Sequence, residues 1–335
     1  MKAKTTMKLI AACALLVFFF SLSTAHAQEA KKIKIGYPAI ASNQIHIWVA
    51  KDAGLFKHYG LDPELVFFRG GQLATQALVA GDPPIVNIGT VVQAGLQGHD
   101  LVLIASSENS YAYSVVGKPT TLSKLEQLKG KKLGVSGFGS ASHNAALILL
   151  RRLNLEPNKD VAIVVAGGTA ERLAAIDAGR IDATLLTPSE IPRAKKQGMV
   201  EVYDMMDLGL EIQGNGFATT RSYIKAQRDI VKSALKGYVE AIHYIHSKPA
   251  ESKKIIARYL RTNDADVLDA TVGWFNRRVP KKPYPTLKGI QFLLDEFSGQ
   301  FPQAKSAKPE QFVDLSLLQE LEKEGFFNEM AKRYP

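Results

Sequence analysis

Small residues crowd one short stretch of this chain, Gly137-Phe138-Gly139-Ser140-Ala141-Ser142-His143, between an apolar run ending at Val135 and a helical run from Ala145 to Leu153. A glycine-rich turn that opens a helix offers backbone N–H groups and the positive end of a helix dipole, which suits anionic or electron-rich groups. Nucleotide chemistry needs more. Ser142 stands where the dinucleotide fingerprint has its third glycine, and the acidic ribose partner expected about 20 residues on is replaced by the loop Leu155-Glu156-Pro157. The Gly-Lys-Ser/Thr of a phosphate loop is absent. The stretch reads as a cradle for the polar head of a small solute, with Gly139, Ser140, Ala141, Ser142 and His143 as candidate contacts. Ser140 or Ser142 also reads as a plain helix N-cap, and the two roles are compatible.

Other residues join this set. Ser42 and Asn43 sit in a similar small-residue loop before the apolar run Ile45 to Ala50 and read equally as caps or contacts. Gly70 and Gly71 allow close backbone approach or simply a tight turn. Thr90 and Thr187 each follow an apolar run. Glu108 and Asn109 lie where the chain begins to cross between lobes, Glu190 follows Thr187-Pro188, and Asn215 begins the returning strand. Carboxylates in a cleft disfavour a strongly anionic ligand unless a cation pairs with them, and suit an amine, an amide or a ring N–H. The alternative is that Glu108 and Glu190 pair with surface lysines. His243 and His246 are three apart on a helix, a metal-pair spacing, but no carboxylate or third histidine accompanies them. They read as part of a surface helix face, and neither a metal nor a cofactor is expected.

The elements that must position these groups begin after a leader. Lys2, Lys4 and Lys8 precede the apolar run Leu9 to Leu22, and Ala25-His26-Ala27 has the form of a cleavage site. Residues 1–27 therefore read as a secretory signal peptide, and the apolar run is short for a membrane span. Cys13, the only cysteine, falls inside that run, so disulfides and thiolate metal sites are excluded from the mature chain. The full chain carries 42 basic and 32 acidic residues, +10, and loss of the three leader lysines leaves +7. The basic residues are dispersed, without the aromatic-interleaved stripe that nucleic acid would use. Their densest cluster, Arg277, Arg278, Lys281 and Lys282, reads as a solvated loop. About 308 residues remain, more than one core usually holds, so two lobes are expected.

An internal repeat divides them. Phe67–Thr90 and Val164–Thr187 each show a strand end, a Gly-Gly turn, a helix, a glycine stop, a second strand and a threonine. Gly71 pairs with Gly168 and Thr90 with Thr187 at a spacing of 97, Gly81 with Gly179 at 98, as if one residue were inserted between. Lys34-Ile35-Gly36 and Lys132-Leu133-Gly134 start the two copies, also 98 apart. Strands alternating with helices imply an α/β fold of largely parallel sheets, with ligands off the carboxyl ends of the strands. The spacing gives lobe one over residues 28–113, lobe two over 114–214, and a hinge return with C-terminal helices completing lobe one over 215–335. Ala112–Val116 and Asn215–Thr219 read as the crossing strands, and helical runs follow near Ile230–Ile245, Val267–Phe275, Leu287–Phe297 and Phe312–Leu321. These helices are expected to pack on lobe one.

The runs IKIGYPAIASNQIHIWVAKDAGLFKHYGLDPELVFFRGG, ALVAGDPPIVNIGT, LEQLKGKKLGVSGFGSASH and AIDAGRIDATLLTPSE together resemble the periplasmic solute-binding proteins of ABC importers, in the branch that takes sulfonates, taurine, nitrate or thiamine-pyrimidine precursors. The resemblance implies the two-lobed type II periplasmic binding fold, hinge closure on a small organic solute, a membrane permease as partner, a periplasmic location and a monomer. It implies ligand contacts at the Gly139–His143 turn and near Ser42. An enzyme on the same fold remains an alternative, although the cysteine-rich motif of the pyrimidine synthases is missing, as does a ligand sensor docking on a membrane receptor.

Overall fold

The computed structural model describes residues 30–110 and 112–335; the leader, with Cys13 and Ala25-His26-Ala27, lies outside the described residues. Among the described residues ten short strands form two sheets. The first contains β1 (Lys31–Tyr37), β2 (Leu61–Phe67), β3 (Ile85–Ile88), β4 (Leu101–Ser106) and β10 (Gly216–Thr220), in the order β2-β1-β3-β10-β4. The second contains β5 (Ser114–Gly117), β6 (Lys132–Val135), β7 (Ala162–Val165), β8 (Ala183–Leu186) and β9 (Val200–Asp204), in the order β7-β6-β8-β5-β9. In each sheet four strands share one direction and one antiparallel strand stands fourth in the order, β10 in the first and β5 in the second. Those two are the strands that have just crossed between sheets, which is why their direction is reversed.

The repeat is kept residue by residue. Gly36 lies opposite Val66 and Val86; Gly134, 98 positions on, lies opposite Val164 and Thr184. The register of β10 on β4 slips between Phe217 and Ala218, where Ala105 gives way to Leu103, and that of β5 on β9 slips between Val115 and Val116, where Tyr203 gives way to Glu201. The partners in the two slips are again 98 apart, so even the bulge is shared. The first helix after each Gly-Gly turn spans nine residues, Gly71–Val79 and Thr169–Asp177, and the N-caps are Gly70 and Gly168. The expected pairing of Gly71 with Gly168 and the insertion behind it are therefore corrected: the spacing stays at 98 through this helix. It changes only after β3, where lobe two adds the Pro188–Glu190 turn before its Ile191–Lys196 helix, while lobe one passes from Thr90 directly into Val91–Leu96.

The strands begin one or two residues later than expected, at Ser114 and Gly216, and the helix after the Gly139 turn starts at Ala141. The Arg228–Ser247 helix packs on Ile45–Asp52 and Leu55–His58 in lobe one. Gly237 makes the approach possible, since a Cβ there would lie 2.5 Å from Phe56 Cδ1. The remaining C-terminal helices do not all stay on lobe one. Ala265–Arg278 packs against the Pro188–Glu190 turn and the Ile191–Lys196 helix of lobe two. Glu296, at the end of Leu287–Phe297, accepts Arg151 Nη1 on its carbonyl at 2.8 Å, and its carboxylate lies 3.0 Å from the same guanidinium. One apolar cluster runs from Leu133, Leu149 and Leu185 through Leu294 and Phe297 to Val91 and Leu103, joining both lobes. The run expected as a helix over Phe312–Leu321 is split: a short turn ends at Phe312 and a helix runs from Ser316 to Lys323. His243 and His246 are also corrected. They are not a surface face: His243 is buried and His246 half-buried, and their Nε2 atoms lie 3.0 Å from the carbonyls of Lys281 and Val279. No described helix is long and apolar enough to cross a membrane.

Candidate functional site

The carboxyl ends of β1 and β3 face those of β6 and β8, and the loops leaving them touch. Ser42 N donates to Ser189 Oγ at 3.1 Å across the cleft. A Cβ on Gly71 would lie 3.5 Å from Thr90 Cγ2 and 3.8 Å from Ser140 Cα, ordinary contact distances that place the opposite loop against this wall. Gly70, with φ +104°, bends the chain there, and Ser136 Oγ lies 3.9 Å from where its Cβ would be. Asn144 Nδ2 reaches Gln93 Oε1 at 3.4 Å, a further link between lobes.

The small-residue turn itself is held by its own groups. Ser140 Oγ accepts from His143 N at 3.2 Å, the N-cap role, and lies 3.1 Å from Ser142 Oγ. Ser142 Oγ accepts from Ser136 N at 3.0 Å. Gly139 N donates to His143 Nδ1 at 3.1 Å, and burial lowers the histidine's pKa. Gly139 has φ +73°, a conformation glycine adopts without strain. Ala141 opens the helix. Both serines are buried, and Ser140 Cα stands 3.8 Å from where a Cβ on Gly71 of lobe one would lie.

At the lobe-one turn, Ser42 and Asn43 are buried. Ser42 Oγ has no hydrogen-bond partner, while Asn43 O accepts from Asn87 Nδ2 at 3.3 Å. Thr90 Oγ1 lies 2.5 Å from Thr75 Oγ1, which is also bonded to Gly71 O at 2.7 Å.

Glu108 and Asn215 form the floor, and they bind each other. Glu108 Oε2 accepts from Asn215 N at 3.1 Å and Nδ2 at 2.5 Å, and its Oε1 accepts from Ala112 N at 3.0 Å. Ser107 N to Asn215 O, Gly214 N to Glu108 O and Ile212 N to Asn109 O complete a short ladder between the two chain crossings. Asn109 also accepts from Ser106 Oγ at 2.8 Å. The alternative of a surface lysine partner for Glu108 is overturned: its partners are hinge backbone and an amide. Burial pushes its carboxyl up, opposed by the Ala112 and Asn215 donors.

Glu190 is likewise paired without a lysine. Its Oε2 accepts from Thr187 N at 2.8 Å and Thr187 Oγ1 at 2.7 Å, and its Oε1 is buried with no partner. Beside it stands a residue the sequence did not single out. Arg172 is buried, with Nη2 3.2 Å from both Thr169 Oγ1 and Leu185 O, and Nε without a partner. Burial pushes Glu190 up and Arg172 down, and their mutual attraction opposes both shifts. Tyr113 lies within electrostatic reach of Glu108, Arg172 and Glu190 and joins floor to wall. The sequence signal was available: Arg172 shares the inner helix face of Leu173 and Ile176, where a cation is out of place.

A second missed feature is a cavity of about 380 Å³ between the lobe-one helices and the lobe-two turn. Gln72, Thr75, Gln76, Thr90, Gln93, Gln97 and His99 line it, with Val79, Ala94, Phe138 and Gly139. Its mark in the sequence is two glutamine pairs at i,i+4 spacing, 72 with 76 and 93 with 97. Among the described residues no cluster of three or more His, Cys, Asp or Glu could hold a metal ion.

The structure thus brings Ser42, Thr187, Ser189 and Glu190 together on one side, and Gly71, Thr90, Gly139, Ser140 and Asn144 on the other. Glu108, Asn109 and Asn215 form the hinge. Buried donors and acceptors between two hinged lobes can enclose a small polar solute.

The family model described as NMT1/THI5 like matches residues 41–252. A solved structure from Bordetella bronchiseptica RB50 covers 88% of this chain and 98% of its own at 19% identity, with TM-score 0.78. The periplasmic nitrate-binding protein NrtA of Synechocystis PCC 6803 covers 92% and 91% at 15% identity, TM-score 0.73. The periplasmic aliphatic sulphonate binding protein SsuA of Escherichia coli covers 86% and 91% at 21% identity, TM-score 0.64. These likenesses show the fold, that of the two-lobed periplasmic binding proteins.

Proposed function

This chain belongs to the NMT1/THI5-like family, and on that premise we propose that it is the extracytoplasmic solute-binding component of an ABC-type importer. It is exported by the leader at residues 1–27, acts in the periplasm as a monomer, closes on a small organic solute and hands it to a membrane permease. It uses no metal or cofactor and catalyses no reaction.

The observation that carries this reading is that two equivalent turns, at Ser42 and Ser140, each meet the opposite lobe across one cleft. Ser42 reaches Ser189, and Gly71 faces Ser140, so groups from both lobes would touch one solute. The proposed contacts are Ser42, Asn43, Gly70, Gly71, Thr90, Thr187 and Glu190 with the turn Gly139 to His143. Glu108, Asn109 and Asn215 take a supporting place, since their polar groups are engaged in the hinge ladder. Closure needs no chemistry. The solute shifts an open–closed equilibrium by its extra affinity for the closed form. Those two proteins, SsuA and NrtA, bind sulphonate and nitrate; Glu108, buried with hydrogen-bond donors and no cation beside it, favours a less anionic solute.

Thermal-shift titration of the mature protein, from Gln28 on, tests the proposal. A true solute at 100 times its Kd adds about 2.7 kcal/mol to stability. The double change Ser140→Ala with Ser142→Ala should abolish the shift. A shift that survives both changes puts the solute elsewhere, and a broad panel without any shift removes the transport reading.

A further inference from the structure

The cavity between the lobe-one helices and the Phe138 turn has a lining unlike the rest of the cleft. No Lys, Arg, Asp or Glu lines it. Gln72, Gln76, Gln93 and Gln97 each bring an amide that donates and accepts, and Thr75 and Thr90 bring hydroxyls. Val79 and the half-exposed ring of Phe138 supply an apolar face. Behind Gln93, outside the lining itself, the buried Asn144 donates from Nδ2 to Gln93 Oε1 at 3.4 Å.

The repeat provides an internal control. In the paired helix of lobe two, Ala170, Leu173 and Ala174 stand 98 positions from Gln72, Thr75 and Gln76. Met199 follows the Gln197-Gly198 helix stop as His99 follows Gln97-Gly98. Leu173 and Met199 are both buried in the lobe-two core, beside Ile191 and Ala194. The frame therefore accepts apolar filling at the positions of Thr75 and His99, while Ala170 and Ala174, opposite Gln72 and Gln76, are exposed and bring no polar group. Lobe one instead surrounds open space with amides and hydroxyls.

We infer that the cavity is the subsite for an uncharged part of the solute, one carrying amide or hydroxyl groups on a ring or short apolar body that lies against Phe138. The inference rests on the binding-protein reading and narrows it: an isolated sulfonate, nitrate or carboxylate finds no lysine or arginine in this subsite, with His99 at its rim, whereas a carboxamide finds donors and acceptors together. Because Phe138 and Gly139 belong to lobe two and the glutamines to lobe one, occupancy bridges the lobes and favours the closed form.

Matched probes separate the charge from the ring. Benzamide and nicotinamide would be titrated calorimetrically into the mature protein beside benzoate, nicotinate and benzenesulfonate. The amides are expected to bind at least tenfold more tightly than the acids. Thr75→Leu with Gln76→Ala, which installs the lobe-two residues, should weaken amide binding at least tenfold. Phe138→Ala, at an exposed position that folding tolerates, should weaken it several-fold. Anions binding more tightly than amides, or amide binding untouched by both variants, overturns the subsite while leaving the binding-protein reading in place. If neither amides nor acids bind while another solute gives a shift lost in the Ser140→Ala, Ser142→Ala protein, the subsite is wrong and the cleft stands. If no solute binds at all, both fall.

Discussion

Lobe one and lobe two share a backbone frame down to a bulge, yet they bury different chemistry. In lobe two Arg172 and Glu190 stand inside the cleft wall, and the helix behind them packs Leu173 and Ile176 into an apolar core. In lobe one the counterpart of Arg172 is Ala74, fully buried, and the neighbouring helix face carries glutamines around a cavity. The frame is held by what strands and turns require: paired register, a reversed crossing strand, and glycine stops at Gly81 and Gly179 with φ of +84° and +68°. Cleft-facing side chains are under no such constraint, so the two copies could diverge there. One lobe keeps a charged pair and the other a neutral hydrogen-bonding wall.

The largest expected effect tests the charged pair. Arg172→Ala gives lobe two the residue of lobe one, removes the buried guanidinium's bonds to Thr169 and Leu185 and takes away the attraction that opposes the raised Glu190 carboxyl, which should cost on the order of 2 kcal/mol. Adding Glu190→Gln should recover part of that loss. Urea denaturation of the two variants measures both effects; equal midpoints for wild type and Arg172→Ala would show that the pair does not hold lobe two.

Acid should act on the other lobe. His46 is fully buried against Tyr238 and Phe275, its ring nitrogens without partners, and burial pushes it down to about 3. His243, on the helix packed over lobe one, is pushed down to about 4 for the same reason. A histidine lowered in the folded state contributes stability that is complete above its unfolded value of 6.5 and is lost as pH falls towards the folded one. His46 alone should therefore remove about 2 kcal/mol between pH 6.5 and 5. Hydrogen exchange at pH 5 should open the Ile45–Asp52 helix before the lobe-two core around Leu173. Simultaneous opening, or the same acid sensitivity in His46→Leu, would contradict this.

The smallest effect compares two equivalent glycines. Gly70 has φ +104° and Gly168 φ −65°, although both cap the same helix of the repeat. Gly70→Ala should cost about 1–2 kcal/mol through backbone strain. Gly168→Ala needs only a shift of the Glu171 side chain, whose Oε2 would lie 2.8 Å from the new Cβ, and should stay within about 0.5 kcal/mol. Equal costs would mean that the turns are not held in different conformations.

Much of the fold was legible in the chain because strand and helix periods, glycine stops and the spacing of 98 are local properties. The Gly-Gly turns, the Ser140 cap and the alternation of strands and helices follow from residues a few positions apart. The placement of the C-terminal helices was not, since an apolar face states that it must be covered but not by which lobe. Ala265–Arg278 and Leu287–Phe297 settle partly on lobe two because both lobes offer apolar surface at the hinge. His243 and His246 were misread for a related reason: a helix face with two histidines looks solvated until the 279–281 turn folds over it.

By itself, then, the sequence determined a twofold α/β repeat, a small-residue turn at each cleft edge and a family resemblance borne out by the match over residues 41–252. Tertiary structure alone decided what the polar groups do. Glu108 and Asn215 are 107 positions apart, and only the chain crossings bring them within 2.5 Å. Arg172 and the four glutamines acquire meaning only once burial removes water from one and space opens beside the others. Desolvation and cavities arise between distant segments, so a helix face can mark Arg172 or the glutamines as unusual but cannot say which loses water and which lines open space.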